Sequence, residues 1–277
     1  MEVLRIDLEA ADAAQNFTES LKKTGFAVLY NHPISQTLIN DTYQEWTEFF
    51  KSENKSSYRF KRETQDGFFP QSISETAVGA EVKDLKEFFQ YYPWGQFPDY
   101  LSDNTQKLYN ELQKFAATLL SWIQQALPKS IENNLSIPLA DMIKDPQKTM
   151  LRILHYPPLT GTENRKAVRA AAHGDINLIT LLVGATNSGL QVQDTKGQWH
   201  NVATDKESIA VNIGDMLEMC TLGYYTSTIH RVINPEGNNE SRLSMPLFLH
   251  PAPEVLLKEN FTAEQFLKKR LTEIGVY

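Results

Sequence analysis

Apolar residues recur at two periods along this chain, and the period changes once. In the first half they fall three or four apart. Ala13, Phe17 and Leu21 predict a helix that Gly25 ends. Leu38, Ile39, Tyr43, Trp46, Phe49 and Phe50 predict a second helix, with Ser35 as its N-terminal cap. Leu108, Leu112, Phe115, Leu119 and Ile123 form the stripe of a third, capped by Ser102 or Asp103 and ended by Pro128. Short runs at 3–7 and 26–30 read as strands between them. Residues 67–79, opening with Gly67-Phe68-Phe69-Pro70, read as irregular surface chain, and 84–92 as an aromatic stretch closed by Pro93.

After Asp145-Pro146 the period falls to about two, the sign of strands. They are predicted at 150–156, 177–183, 189–193, 199–201, 208–212, 216–219, 226–233 and 241–250. Gly184, Gly189, Gly197, Gly214, Gly223 and Gly237 punctuate them as turn residues. So many short strands imply a sandwich or closed barrel, and eight is the count of a jelly roll. A last helix begins at Thr262, whose capping box with Gln265 is joined by a Phe261–Phe266 staple. The fold class expected is therefore mainly β with flanking helices. Residues 1–145 form an N-terminal helical region packed on the barrel, 146–252 the jelly roll, and 253–277 the C-terminal helix.

Composition narrows the function classes. At 277 residues and 41% hydrophobic, the chain can bury a large core. Its 27 Lys+Arg against 34 Asp+Glu give a net charge of −7, which provides no footprint for nucleic acid. No apolar run is long enough for a membrane span or a signal peptide, so the expectation is a soluble, cytoplasmic protein without a membrane partner. Nothing in the sequence specifies an oligomeric state. The single cysteine, Cys220, excludes an internal disulfide framework and a cysteine-based metal site; it reads as a small buried side chain.

The chemistry concentrates in His173-Gly174-Asp175 and His230. On a strand, residues two apart share a face, so His173 and Asp175 can present an imidazole and a carboxylate to one ion. His230, from a distant strand, completes two histidines and a carboxylate. That set suits Fe(II) with three adjacent positions open, and zinc accepts the same ligands. Arg242 and Ser244 share a strand face by the same rule. An inward guanidinium in a small barrel needs an anion, and a dicarboxylate fits. Fe(II), Asp175, Arg242 and a dianionic 2-oxoacid such as 2-oxoglutarate have formal charges that sum to zero.

The ordered segments GFAVLYNHPIS, GFFP, DLKEFF, LRILHYPPL, HGDINLITLLV, GLQVQDTKGQWHNV, VNIGDMLEMCTLGYYTSTIHRV and RLSMPLFLHP carry a resemblance that covers nearly the whole chain. It is to the isopenicillin-N-synthase-like branch of the Fe(II)/2-oxoglutarate-dependent dioxygenases. The resemblance implies a double-stranded β-helix core and an oxygenase that uses Fe(II), 2-oxoglutarate and O2 on a small-molecule substrate. It implies His173, Asp175 and His230 as iron ligands. Arg242 and Ser244 would hold the distal carboxylate of 2-oxoglutarate, and Tyr156 matches the family tyrosine that reaches the same group. The chain departs from the family pattern at Leu154, where plant-type members have asparagine, and at Leu222-Gly223, where the turn usually reads Asn-Gly. The resemblance also admits an iron oxidase of the isopenicillin N synthase type that works without 2-oxoglutarate, and the ligand set alone admits a zinc hydrolase. His155, His200 and His250 have ordinary readings away from the metal. Ile176, Asn177, Ile179, Phe248 and the Tyr91-Tyr92-Pro93-Trp94 cluster are candidates for pocket wall or core.

Overall fold

The structure is a computed structural model that describes residues 1–73, 85–158, 161, 169–184, 189–233 and 240–273. The end of the stretch read as irregular chain, 74–79, the turn expected at Gly237 and the start of the aromatic stretch at Asp84 lie outside the described residues. The first half runs β1 (Arg5–Asp7), α1 (Ala13–Thr24), β2 (Phe26–Tyr30), α2 (Gln36–Lys51), β3 (Gly67–Phe69), β4 (Glu87–Tyr91), α3 (Asn104–Gln125), α4 (Lys129–Glu132) and α5 (Leu139–Met142). The second half runs β5 (Met150–Tyr156), β6 (Ala170–His173), β7 (Ile179–Val183), β8 (Leu190–Gln193), β9 (Trp199–Asn201), β10 (Ile209–Ile213), α6 (Asp215–Cys220), β11 (His230–Val232) and β12 (Arg242–Leu249). The hairpin of β13 (Leu256–Lys258) and β14 (Phe261–Thr262) then leads into α7 (Ala263–Glu273).

Two sheets form the double-stranded β-helix. The larger has eight strands in the order β1-β2-β10-β7-β12-β5-β4-β3, and the smaller has four, β6-β11-β8-β9. Period-2 alternation sorts the larger sheet's side chains between its two faces. Leu151, Ile153, Leu243, Met245, Leu247 and Leu249 join the main core with Trp46, Phe49, Leu112 and Leu119 of the helices. Their neighbours Leu154 and Tyr156 point the other way, into a separate cluster with Phe69 and Phe88. A third cluster, including Phe26, Ala170, Val192 and Val232, draws on both sheets.

The helices form as the apolar spacing predicts. Ser35 Oγ accepts from the Leu38 amide at 3.4 Å to cap α2. Trp46 of that helix is fully buried, meets Phe89 at 4.8 Å between ring centroids and donates its indole N–H to Thr105 Oγ1 of α3. Burying each such ring stabilises the fold by about 2–3 kcal/mol, and its satisfied N–H avoids the penalty of an orphaned donor. At α3 the capping oxygen belongs to Ser102, 3.1 Å from the Asn104 amide, while Asp103 makes no side-chain cap bond. At α7 the capping box is reciprocal: the Thr262 amide donates to Gln265 Oε1 at 2.9 Å and the Gln265 amide to Thr262 Oγ1 at 3.2 Å. Cys220 is buried and its thiol is pushed up to about 12 by desolvation, so it stays protonated. No helix among the described residues is long and apolar enough to cross a membrane.

Four expectations need correction. Gly67-Phe68-Phe69 is not surface chain but the buried edge strand β3, where Phe69 stacks between Phe60 and Phe88. Residues 216–219 are helical: Met216, Leu217 and Cys220 are the buried positions of α6, a helical rather than an alternating pattern. Of 226–233, 230–232 alone are strand, and β6 was not anticipated. Eight strands from β5 to β12 result all the same, because β6 takes the place assigned to 216–219.

Gly214 is also not the positive-φ turn residue its position suggests. Its φ is −108°, and glycine is required there because a Cβ would lie 2.2 Å from the Asn177 carbonyl oxygen. The Gly214→Ala variant should therefore lose about 1–3 kcal/mol of stability through overpacking against backbone. Urea denaturation, read as a lower midpoint at unchanged slope, measures it.

Candidate metal centre

Antiparallel pairing of β6 with β11 sets His173, the last residue of one strand, directly opposite His230, the first of the other. Their rings lie 4.4 Å apart between centroids. Asp175 sits two residues past the end of β6, so the strand expected to carry both candidates ends at His173, and the two side chains still converge. Asp175 Oδ1 lies 3.8 Å from His173 Nε2 and 3.7 Å from His230 Nε2. One donor atom from each residue falls within 4.8 Å of the others, a spacing that could hold a metal ion.

The surroundings aim those atoms inward. His173 Nδ1 lies 2.8 Å from the Ala171 carbonyl oxygen and His230 Nδ1 3.1 Å from that of Thr228. A carbonyl only accepts, so each Nδ1 carries the proton and each Nε2 presents a lone pair. Asp175 Oδ2 accepts from Thr180 Oγ1 at 2.5 Å and from Asn212 Nδ2 at 2.8 Å, which leaves Oδ1 turned to the histidines. Asn177 donates in turn to Thr180 Oγ1 at 3.0 Å and steers that hydroxyl. The Asp215 amide holds the Asp175 carbonyl at 2.8 Å. These partners suit a resident divalent cation: two neutral imidazoles and one carboxylate, each oriented from behind.

The charge states agree with that reading. Burial pushes the Asp175 carboxyl up, but His230, His173 and the two hydrogen bonds outweigh it and hold the group below the ordinary carboxylate range. The His173 side chain keeps 40% of its surface toward the opening. Protein nevertheless surrounds the ring closely enough that desolvation, with His230 beside it, pulls its pKa down to about 4. Exposed Ile229 lies at the same opening, its Cδ1 3.6 Å from where a Cβ on Gly174 would sit.

On the large sheet, Arg242 pairs across strands with Tyr156, and its guanidinium carbon lies 5.1 Å from that ring's centroid. Its Nη1 is 3.3 Å from Ser244 Oγ. Arg242, Ser244 and Tyr156 are each 2% exposed or less. Leu154 faces Ser244 across the same pair of strands and contributes to the apolar wall. The other histidines stand apart. His155 bridges Glu87 and Ser241 at 2.8 Å each and stacks on Phe50, and His200 bonds Asp194 at 2.8 Å. Tyr91 belongs to the core, and Trp94 is half exposed, its indole N–H donating to the Gln147 carbonyl at 3.0 Å.

His250, half-buried one residue past β12, has its pKa pulled to about 4 by desolvation and stands outside the His-Asp-His cluster. Sequence reasoning missed one buried basic side chain. Arg169, just ahead of β6, is 1% exposed. Position parity with His173 was the signal available for it.

Two family models match this chain: the 2OG-Fe(II) oxygenase superfamily over residues 147–251 and the N-terminal region of non-haem dioxygenases in morphine synthesis over residues 3–114. A solved Shewanella oneidensis protein assigned to the oxygenases is 50% identical, with a TM-score of 0.91 and both chains covered completely. A 2OG-Fe(II) oxygenase family protein of known structure from Caulobacter crescentus is 30% identical over 99% of each chain, with a TM-score of 0.77. The 2-oxoglutarate-dependent dioxygenase citB of Monascus ruber is 29% identical over 270 residues, spanning 86% of this chain and 79% of that protein. With the His-Asp-His cluster in a double-stranded β-helix, these likenesses leave neither a zinc hydrolase nor an oxidase that dispenses with the oxoacid as the better reading. The chain belongs to the 2OG-Fe(II) oxygenase superfamily and is a non-haem iron, 2-oxoglutarate-dependent dioxygenase.

Proposed function

We propose that His173, Asp175 and His230 are the iron ligands and that Arg242, Ser244 and Tyr156 hold the distal carboxylate of 2-oxoglutarate. The observation that carries this reading is the convergence of both Nε2 atoms on Asp175 Oδ1, with every rear-facing ligand atom already engaged. When bound, Fe(II) with 2-oxoglutarate and O2 supplies the oxidising chemistry: the oxoacid becomes succinate and CO2, one oxygen atom enters succinate and the other the substrate. The chain's own residues position and exclude. Arg242 and Ser244 supply charge-assisted and neutral donors to a carboxylate, which fixes the direction in which the oxoacid enters. Phe69, Phe88 and Leu154 form an apolar wall beside Tyr156 that keeps water from that end.

The substrate on this reading is a small molecule that enters where His173 and Ile229 meet solvent, and its oxidation is a hydroxylation or a related step. Residues 146–252 carry every proposed ligand, while 1–145 and 253–277 flank them. The single, buried Cys220 suits a reducing compartment, and we place the enzyme in the cytoplasm.

The Fe(II)-loaded protein should convert 2-oxoglutarate to succinate with O2 uptake, and a substrate should stimulate that conversion. Both His173→Ala and Asp175→Ala should fall to background. Succinate formation unchanged in the two variants would sink the assignment. Anaerobic addition of 2-oxoglutarate to the Fe(II) protein should also produce a visible charge-transfer absorption, absent with zinc in place of iron.

The rear hydrogen bonds make a separate prediction. Thr180→Val keeps shape but removes the hydroxyl from Asp175, and should weaken metal binding about 10- to 100-fold. Calorimetric titration of the metal-free protein, with circular dichroism as the folding control, measures it.

A further inference from the structure

Arg169 is buried, yet its guanidinium is only partly engaged. Its Nη2 donates to the Glu240 carbonyl oxygen at 2.7 Å, while Nε and Nη1 are enclosed and meet no hydrogen-bond partner among the described residues. The guanidinium carbon lies 5.8 Å from the Tyr156 ring centroid, and that of Arg242 lies 5.1 Å from the same centroid. Both guanidiniums thus lie near one tyrosine ring. Burial and the like charge of Arg242 both lower the pKa of Arg169, in keeping with their closeness, although arginine stays charged.

No described acid meets the open donors of Arg169. The buried acids are Asp66 and Asp175. Asp66 accepts from Thr64 and from the Gln96 amide, and Asp175 stands at the metal centre. Enclosed N–H donors on a cation are costly unless an anion arrives to meet them. The charge sum read from the sequence, neutral with Arg242 alone, gains one positive charge when Arg169 is counted, and that charge sits beside Tyr156.

We infer that Arg169 is a second guanidinium for the distal carboxylate of the oxoacid, so that this carboxylate is held between Arg169 and Arg242 beside Tyr156. The inference rests on the cosubstrate placement proposed above and deepens it. The role is selective: a 2-oxoacid without a second carboxylate gains nothing from Arg169, and a 2-oxodicarboxylate gains a charge-assisted pair of donors.

The test is anaerobic calorimetry on the full-length Fe(II) protein with 2-oxoglutarate and with 2-oxopentanoate, which has the same carbon chain without the distal carboxylate. Arg169→Gln should weaken 2-oxoglutarate about 10- to 100-fold, the loss expected for one charged hydrogen-bonding partner, and leave 2-oxopentanoate within about twofold. Arg169→Lys keeps the charge but loses the fork and should lie between wild type and Arg169→Gln. If Arg169→Gln does not fold, Arg169→Lys carries the comparison, with a loss of about 3- to 10-fold confined to 2-oxoglutarate. Unchanged 2-oxoglutarate affinity in a folded variant, or equal weakening of both acids, overturns the role of Arg169 and leaves the iron and Arg242 assignments standing. Failure of the wild-type Fe(II) protein to bind 2-oxoglutarate overturns those assignments and this one together.

Discussion

The constraint on which the site depends is the burial of a carboxylate. Asp175 is 5% exposed, and a lone ion at that depth would take up a proton instead of staying charged. What holds it ionised comes from three separate parts of the chain: two imidazoles from the small sheet, Thr180 from β7 and Asn212 from β10 of the large sheet. β7 and β10 pair with Thr180 directly opposite Asn212. Sliding β10 by one residue against β7 would turn Asn212 to the opposite face and leave Asp175 Oδ2 with Thr180 as its one remaining side-chain donor. The register of the large sheet and the charge state of the proposed metal ligand are therefore the same constraint seen at two scales.

The close approach of backbone at Gly214 serves that constraint. Its amide donates to the Leu178 carbonyl and the next amide to Asp175, so the start of α6 closes over the segment that carries the carboxylate. The N-terminal region serves it as well. Gly25, at φ 72°, ends α1 in a left-handed turn, and a Cβ there would lie 2.1 Å from Thr228 Oγ1, two residues before His230. Phe26 follows and meets the His230 ring edge-on at 5.4 Å. The first two strands are thus part of the support for the third ligand candidate, and the helices they introduce cover the outer face of the same sheet.

How much of this was legible follows from what each signal depends on. Helices α1, α2 and α3 were readable because their apolar stripes repeat over three turns or more, and α7 because its capping box is a local hydrogen-bonding pattern. β5 and β9 were readable to the residue, their ends marked by a change in alternation. Strand β3 was not, since three residues carry no period and its burial comes from Phe60 and Phe88, distant in sequence. Residues 216–219 misled because four apolar or acidic residues fit either period, and the glycine before them suggested a turn. At the site, His173, Asp175 and His230 were visible as residue types at suggestive spacing. The geometry that unites them was not, because it depends on a β6–β11 register and on the path of the chain beyond the end of β6. Arg169 was invisible for a related reason: its meaning lies in being enclosed next to a second arginine, which spacing alone does not convey.

That pair of arginines bears on the fold as well as on binding. The Glu240 carbonyl and the electron-rich face of Tyr156 are what the described residues offer the Arg169 guanidinium, and a cation–π contact at this distance contributes only about 0.5–2 kcal/mol. A carboxylate between two guanidiniums offsets far more, since the attraction acts at short range in a weakly polarisable interior. On the proposed placement, the open donors of Arg169 are met once the oxoacid is bound. Because that relief is available only to the folded chain, occupancy of the anion position adds directly to stability by mass action. On that placement, the enclosed donors that would select a dicarboxylate also tie the stability of this part of the fold to its cosubstrate.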